Sequence, residues 1–176
     1  MFIRTENLLL RPGWTEDAPE LYAAIAREEV AYTLARLPWP YTLDHARAWL
    51  DRPRAADDAH LLIYERTGNA PRLIGGIGLA PDGHDVELGY WIVPSHWGRG
   101  FATEAGRAVI AMARDTLRLD RLVSGHFVEN PASGRVLRKL GFAATGTTDL
   151  RYCLARDAML PCVGFSLDLE PMRLAA

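Results

Sequence analysis

Between Trp97 and Thr103 the chain sets two glycines around one arginine, Gly98-Arg99-Gly100, just ahead of the helix-forming run Ala102-Thr103-Glu104-Ala105. That spacing can hold an anion. The glycines allow a tight turn and close approach with no Cβ in the way. A helix starting at about Ala102 turns its unpaired N–H groups back into that turn, and its positive end favours phosphate. Arg99 adds a mobile cation. Further on, Ser133 lies three, four and seven residues before Val136, Leu137 and Leu140, which puts its hydroxyl at the open end of their inward stripe. It either bonds the free N–H groups of its own first turn or points toward whatever the preceding loop contacts. Asn130 reads as the cap of the same helix. Upstream, Glu87 lies six residues before Val93 on a strand, so the two share a face, and a carboxylate there can serve as a base.

Three kinds of phosphate loop have to be separated. A Walker loop ends in Gly-Lys-Ser/Thr, and Gly98-Arg99-Gly100-Phe101-Ala102-Thr103 contains no lysine. A dinucleotide fingerprint needs three glycines opening an early βαβ unit, whereas the third position here is Thr103 and the strand lies mid-chain. The third kind is the pyrophosphate loop of coenzyme A acyltransferases. Trp97-Gly98-Arg99-Gly100-Phe101-Ala102 resembles the Gln/Arg-x-x-Gly-x-Gly/Ala loop of the GNAT superfamily except at its first position. Tryptophan there, followed by Gly-x-Gly-aromatic-Ala-Thr-Glu-Ala, is similar to the RimJ/RimL-type N-acetyltransferase branch. Glu129 to Phe142 resembles that branch's end motif, Glu-Asn-x-x-Ser-x-x-Val-Leu-x-Lys-x-Gly-Phe, and Thr5 to Pro12 resembles its N-terminal Glu-x-Leu-x-Leu-Arg-Pro pattern.

The elements that must position these residues follow from local signals. Ile3 to Pro12 reads as a strand centred on Leu8-Leu9-Leu10, and Thr15-Glu16-Asp17 as a helix start. Leu21, Ala24 and Ile25 then recur at helical spacing, and Glu28 to Leu34 is expected as a second, less regular helix. Two prolines keep Leu37-Pro38-Trp39-Pro40-Tyr41 out of a helix, after which Thr42 caps a helix carrying Ala46, Trp49 and Leu50. Arg52 to Asp58 is a polar connector. Leu61–Glu65 and Leu73–Leu79 read as strands, the second with Gly75, Gly76 and Gly78 inviting close backbone approach. The central strand, about Val86 to Val93, ends at Pro94. A helix from Ala102 carries Ala105, Val109, Met112, Ala113 and Leu117 on one stripe. Arg121–Phe127 completes a parallel crossover. Asn130 and Pro131 open another helix, Gly141 ends it, and Ala143–Leu154 with Leu160–Leu169 forms a closing hairpin. The expectation is one mixed α/β (α+β) domain over residues 1–176.

Composition narrows the class. The 176 residues are 49% hydrophobic and 24% charged, with a net charge of −2, which gives no argument for a nucleic-acid or membrane partner. Cys153 and Cys162 make no metal-ligand spacing. The sequence has neither a signal peptide's apolar segment nor a membrane-length apolar run. A reduced, cytoplasmic protein without a metal is expected, as monomer or homodimer.

The resemblance implies a GNAT-like, mostly antiparallel sheet of about seven strands, splayed at a central parallel pair and flanked by helices. It implies direct transfer of an acetyl group from acetyl-CoA, the co-substrate, to a primary amine: a protein N-terminal α-amine or a small-molecule amine. The pantetheine arm would lie between the strands ending at Val93 and near Phe127. It would pair there with backbone groups of Ile92 and Val93 and meet Asn130 from the other side. N–H groups of Gly98, Arg99, Gly100, Phe101, Ala102 and Thr103 would cradle the pyrophosphate. Backbone N–H groups near Ile92 would stabilise the oxyanion. Ser133 is the expected proton donor to the leaving thiolate, with Tyr90 and Tyr152 as alternatives. Glu87 is the expected base, directly or through a water, or else a structural or substrate-orienting carboxylate, with His126, Glu129 and Asp149 as weaker candidates and His96 expected at the surface. Trp39, Tyr41 and Tyr90 would wall the acceptor. A different class, a coenzyme A sensor with little turnover, needs the same loop but not Ser133.

Overall fold

Leu8 and Leu10 alternate with half-exposed neighbours, the period of a strand buried on one face, and the computed structural model, which describes residues 1–53 and 59–169, forms that strand over Leu8–Arg11 (β2). The expected single strand over Ile3–Pro12 is two: a short β1, Ile3–Arg4, folds back antiparallel on β2 with Ile3 opposite Leu10. This adds an eighth strand to the sheet. Helices α1 (Ala18–Ile25), α2 (Glu28–Ala31) and α3 (Leu43–Asp51) follow. The second is one turn long, and the remainder of its expected span is irregular. Thr42 caps α3 by accepting from the His45 N–H at 3.2 Å. Residues 54–58 of the expected polar connector lie outside the described residues.

Strands β3 (Ala59–Glu65), β4 (Arg72–Asp82) and β5 (Asp85–Ile92) make an antiparallel meander. Helix α4 (Phe101–Asp115) then crosses to β6 (Arg121–Phe127), helix α5 (Pro131–Lys139) follows, and β7 (Ala143–Cys153) and β8 (Ala158–Asp168) close the chain. The sheet order is β1-β2-β3-β4-β5-β6-β8-β7, and β5–β6 is the parallel pair. The expected stripe on α4 is buried at Ala105, Val109, Met112 and Ala113. Glu104, in its first turn, accepts from Thr5 Oγ1 at 2.6 Å and the Asn7 N–H at 2.8 Å, which ties α4 to the β1–β2 turn.

The parallel pair holds the feature that matters for function. Its single registered pairing is Glu87 with Val123. Just past it, Ser124 Oγ donates to the Leu88 carbonyl at 2.8 Å, a side chain standing where a ladder bond would be. Beyond that point β5 and β6 part.

Candidate active site

Strand register decides which backbone groups face the parting. The Val93 N–H donates to the Ile74 carbonyl of β4 at 2.8 Å, and antiparallel pairing alternates residue by residue. Ile92, opposite Gly75, therefore turns its N–H and C=O away from β4, as do Tyr90 and Leu88. Val93 departs from expectation: its N–H goes to Ile74 and its C=O accepts from the His96 N–H at 2.9 Å, so both its backbone groups are already bonded. Ile92 turns its N–H to the gap. Its C=O accepts from Trp97 Nε1 at 2.6 Å, an indole tether between strand end and loop that the sequence reading missed, although the tryptophan at the loop's odd first position was its signal.

The loop itself is open. Gly98 and Gly100 sit at φ +75° and +85°, and a Cβ at either would meet nothing within 4 Å. Both glycines are thus required by backbone conformation and leave clear space before α4. Arg99 donates to Glu65 at 2.7 Å and lies over the Phe101 ring, 4.6 Å from its centroid. Phe101 and Thr103 are buried, so what they present at the start of α4 is backbone rather than exposed side chains. His96 was expected at the surface and is buried instead, with Nε2 3.1 Å from Glu65 and Nδ1 2.9 Å from Ser95 Oγ. Glu65 thereby braces both ends of the loop. Arg99, Arg107 and Lys139 line a recess with Gly100 and Thr103 beside the helix N-terminus, together with the carboxylates of Glu6 and Glu104.

Across the parting stands a hydroxyl pair. Tyr90 Oη and Ser133 Oγ are 2.7 Å apart, and Tyr90 also donates to the Ser133 carbonyl at 3.1 Å. Burial pushes the Tyr90 phenol up to about 12, with the Ser133 bond acting the other way. Asn130 caps α5, its Oδ1 accepting from the Ser133 N–H at 3.3 Å. The cap therefore sets the rotation that brings Ser133 to Tyr90, and the Ser133 hydroxyl meets that phenol rather than a free N–H of its own first turn. Tyr90, Ile92, Gly98, Asn130 and Ser133 all border one cavity of about 590 Å³.

Glu87 borders the same cavity in an unexpected state. Arg151 grips both of its oxygens, the Nη2–Oε2 bond measuring 2.7 Å, and Arg36 approaches Oε2 at 3.3 Å. Neither arginine carried a sequence signal, since Arg151 lies on β7, far along the chain. Tyr41 is on the cavity wall, its phenol pushed up to about 12 by burial. Trp39 does not border it and packs against the core instead. Of the alternatives, Tyr152 bonds Asp157 and Glu129 pairs with Arg156, both exposed. Asp149 is also exposed. His126 borders the cavity, with Nδ1 2.8 Å from the Phe127 carbonyl.

With that geometry in place, comparison with known proteins gives a consistent result. The family model described as acetyltransferase (GNAT) domain matches residues 7–143. An uncharacterized N-acetyltransferase, p20 of Bacillus licheniformis, is 37% identical over 172 residues, covering 93% of each chain. A GNAT-family acetyltransferase structure from Bacillus anthracis superposes with TM-score 0.80 at 21% identity, covering 96% of this chain and 98% of that one. RimL, a ribosomal α-N-protein acetyltransferase solved in complex with coenzyme A, superposes with TM-score 0.78 at 17% identity, covering 96% and 98%. No helix among the described residues is long and apolar enough to cross a membrane.

Proposed function

The chain belongs to the GNAT acetyltransferase family, and from that premise we propose that it transfers an acetyl group from acetyl-CoA directly to a primary amine, using the gap between β5 and β6 as its reaction cleft. The observation that carries this reading is the Tyr90–Ser133 hydroxyl pair at 2.7 Å, set across the parting of the two strands. Acetyl-CoA supplies the acyl group as a thioester, whose thiolate is a good leaving group. The remaining work falls to the chain. The open turn at Gly98 and Gly100, with Arg99 and the start of α4, holds the pyrophosphate. The Ile92 N–H, turned into the gap by register, supports the carbonyl oxygen as negative charge gathers there.

Ser133 is assigned as the proton donor. As the C–N bond forms and the C–S bond breaks, Ser133 Oγ gives its proton to the sulfur and takes one from Tyr90 Oη, which faces it and is refilled from the water that takes up the amine's proton. The phenol, held up by burial, stays protonated at neutral pH and keeps the pair charged with a proton. Glu87 is assigned a positioning role in place of the expected base. A carboxylate whose two oxygens both accept from one guanidinium is held by that guanidinium rather than turned to an incoming amine. The amine loses its proton to water. An α-amine, with a reference pKa of about 8, is already roughly one-tenth neutral at pH 7.

The test is calorimetric titration with acetyl-CoA, repeated on Gly100→Trp with circular dichroism to check folding. Binding that is present in the parent chain and lost in a folded variant supports the loop assignment. A folded parent chain that does not bind acetyl-CoA would falsify the whole reading.

A further inference from the structure

The acceptor half of the cavity has its own chemistry, and it points away from a polypeptide. Resting on the acetyltransferase reading above, we infer that the acceptor is a small amine with an apolar, flat or branched body and a carboxylate, an amino-acid-like molecule rather than a protein N-terminus. Size is the first argument. The cavity of about 590 Å³ is shared by the gap and the space beneath α1–α3, within the roughly 300–1,000 Å³ of small-molecule sites.

The second argument is the wall. Trp91 lies across Gly76, where an added Cβ would come 2.5 Å from its Nε1, and His60 lies across Gly78, where one would come 2.2 Å from its Nδ1. The glycines of β4 thus let rings lie against the strand. Trp49 packs on His60 with centroids 5.7 Å apart at 73°, and Tyr41 continues the wall. A pocket of rings suits an apolar body.

The cover is the third. The Ala35 carbonyl accepts from the Leu154 N–H at 2.9 Å, and the Leu34 carbonyl from Cys153 Sγ at 3.6 Å. These bonds tie the segment after α2, whose Leu34 and Ala35 line the cavity, to the end of β7, so this side of the cavity is pinned to the sheet.

Charge supplies the carboxylate. Two guanidiniums, Arg36 and Arg151, face one carboxylate, Glu87, and Arg52 also lines the cavity. Arg151 is committed to Glu87 on both oxygens, whereas Arg36 makes one 3.3 Å contact and its side chain is 62% exposed. The planar donor array of Arg36 therefore has positions left for an acceptor carboxylate, with Glu87 holding it at the cavity rim.

The experiment measures thiol release from acetyl-CoA with phenylalanine, leucine, 2-phenylethylamine and a hexapeptide beginning with alanine, on the parent chain and on Arg36→Gln. Calorimetric acetyl-CoA binding is measured alongside. The expected result is a higher kcat/KM for phenylalanine or leucine than for the hexapeptide. The phenylalanine-to-phenylethylamine ratio should fall about 10- to 100-fold in Arg36→Gln, the worth of a hydrogen bond to a charged group. Because the readout is a ratio within one protein, partial loss of folding cancels. Preference for the hexapeptide with acetyl-CoA bound overturns the acceptor inference and leaves the acetyltransferase reading intact. An unchanged ratio overturns the assignment of Arg36. Failure of acetyl-CoA to bind removes both readings.

Discussion

Chemistry at the residue scale rests on two hydroxyls. If Ser133 hands the proton to sulfur, Ser133→Ala lowers kcat by about 10²-fold, the lower end for a lost general acid, because a thiolate leaves without much help. Acetyl-CoA affinity stays within about twofold. Tyr90→Phe breaks the same 2.7 Å bond, so the double variant is hardly slower than Ser133→Ala; residues in one network couple. Additive losses would mean two independent roles. The pH profile gives a second check. A phenol raised to about 12 stays protonated across the working range, and raising an acid's pKa moves its loss of function to higher pH. With an α-amine acceptor, kcat/KM therefore climbs as the amine deprotonates, levels above about pH 8, and holds to pH 10. A descending limb between pH 8 and 10 would point to a different donor.

Between elements, the Arg11–Asp17 pair shows how β2 is fixed to the start of α1. Arg11 donates to both Asp17 oxygens at 2.7 Å and lies between the Trp14 and Tyr64 rings, 4.2 and 4.5 Å from their centroids. Burial pushes the Asp17 carboxyl up, but hydrogen bonds from Arg11 and the Trp14 N–H outweigh it and hold the carboxyl below its ordinary value. A depressed folded pKa means stability that is present above the unfolded value, about 3.9, and lost as pH falls through the folded one. Asp17→Asn strands a nearly buried guanidinium. The expected cost is about 3 kcal/mol, or roughly 6–12 °C in Tm for a domain of this size, and thermal melts at pH 7 and pH 2.5 should show the gap between variant and parent closing in acid. A gap of equal size at both pH values would show that the ion pair is not its source. The elements themselves were legible where signals are local: Pro94 stopping β5, Gly98 and Gly100 before α4, Asn130 and Pro131 opening α5. What was not legible depends on distant partners. The carboxylate of Glu87 meets an arginine from β7, His96 is buried by Glu65 of β3, and the β1–β2 turn closes on Glu104 of α4. No window of neighbouring residues carries those facts.

At the scale of the whole molecule, the sheet is two halves joined at a weak seam. The β7–β8 hairpin was legible, but the placement of β8 between β6 and β7 was not, because pairing β8 with β6 joins segments with α5 and β7 between them. That insertion makes β6 the boundary of a half built from the C-terminal strands. Across the seam to β5 run one registered pair, the Ser124–Leu88 bond, the Tyr90–Ser133 contact and the Arg151–Glu87 and Arg121–Asp85 ion pairs. A ligand whose amides bond along the Ile92 side of the gap supplies the ladder that the strands lack. Its binding should stabilise the whole chain rather than the loop alone. With coenzyme A at 100 times its Kd, the gain is about 2.7 kcal/mol, or roughly 5–10 °C in Tm. Amide exchange at Tyr90 and Ile92 should slow by the same factor as global opening. In Gly100→Trp both effects should vanish together, since the pyrophosphate loop and the seam then act on one ligand. A rise in Tm without protection at Tyr90 and Ile92 would place coenzyme A outside the gap, and the mechanism assigned to Ser133 would fall with it.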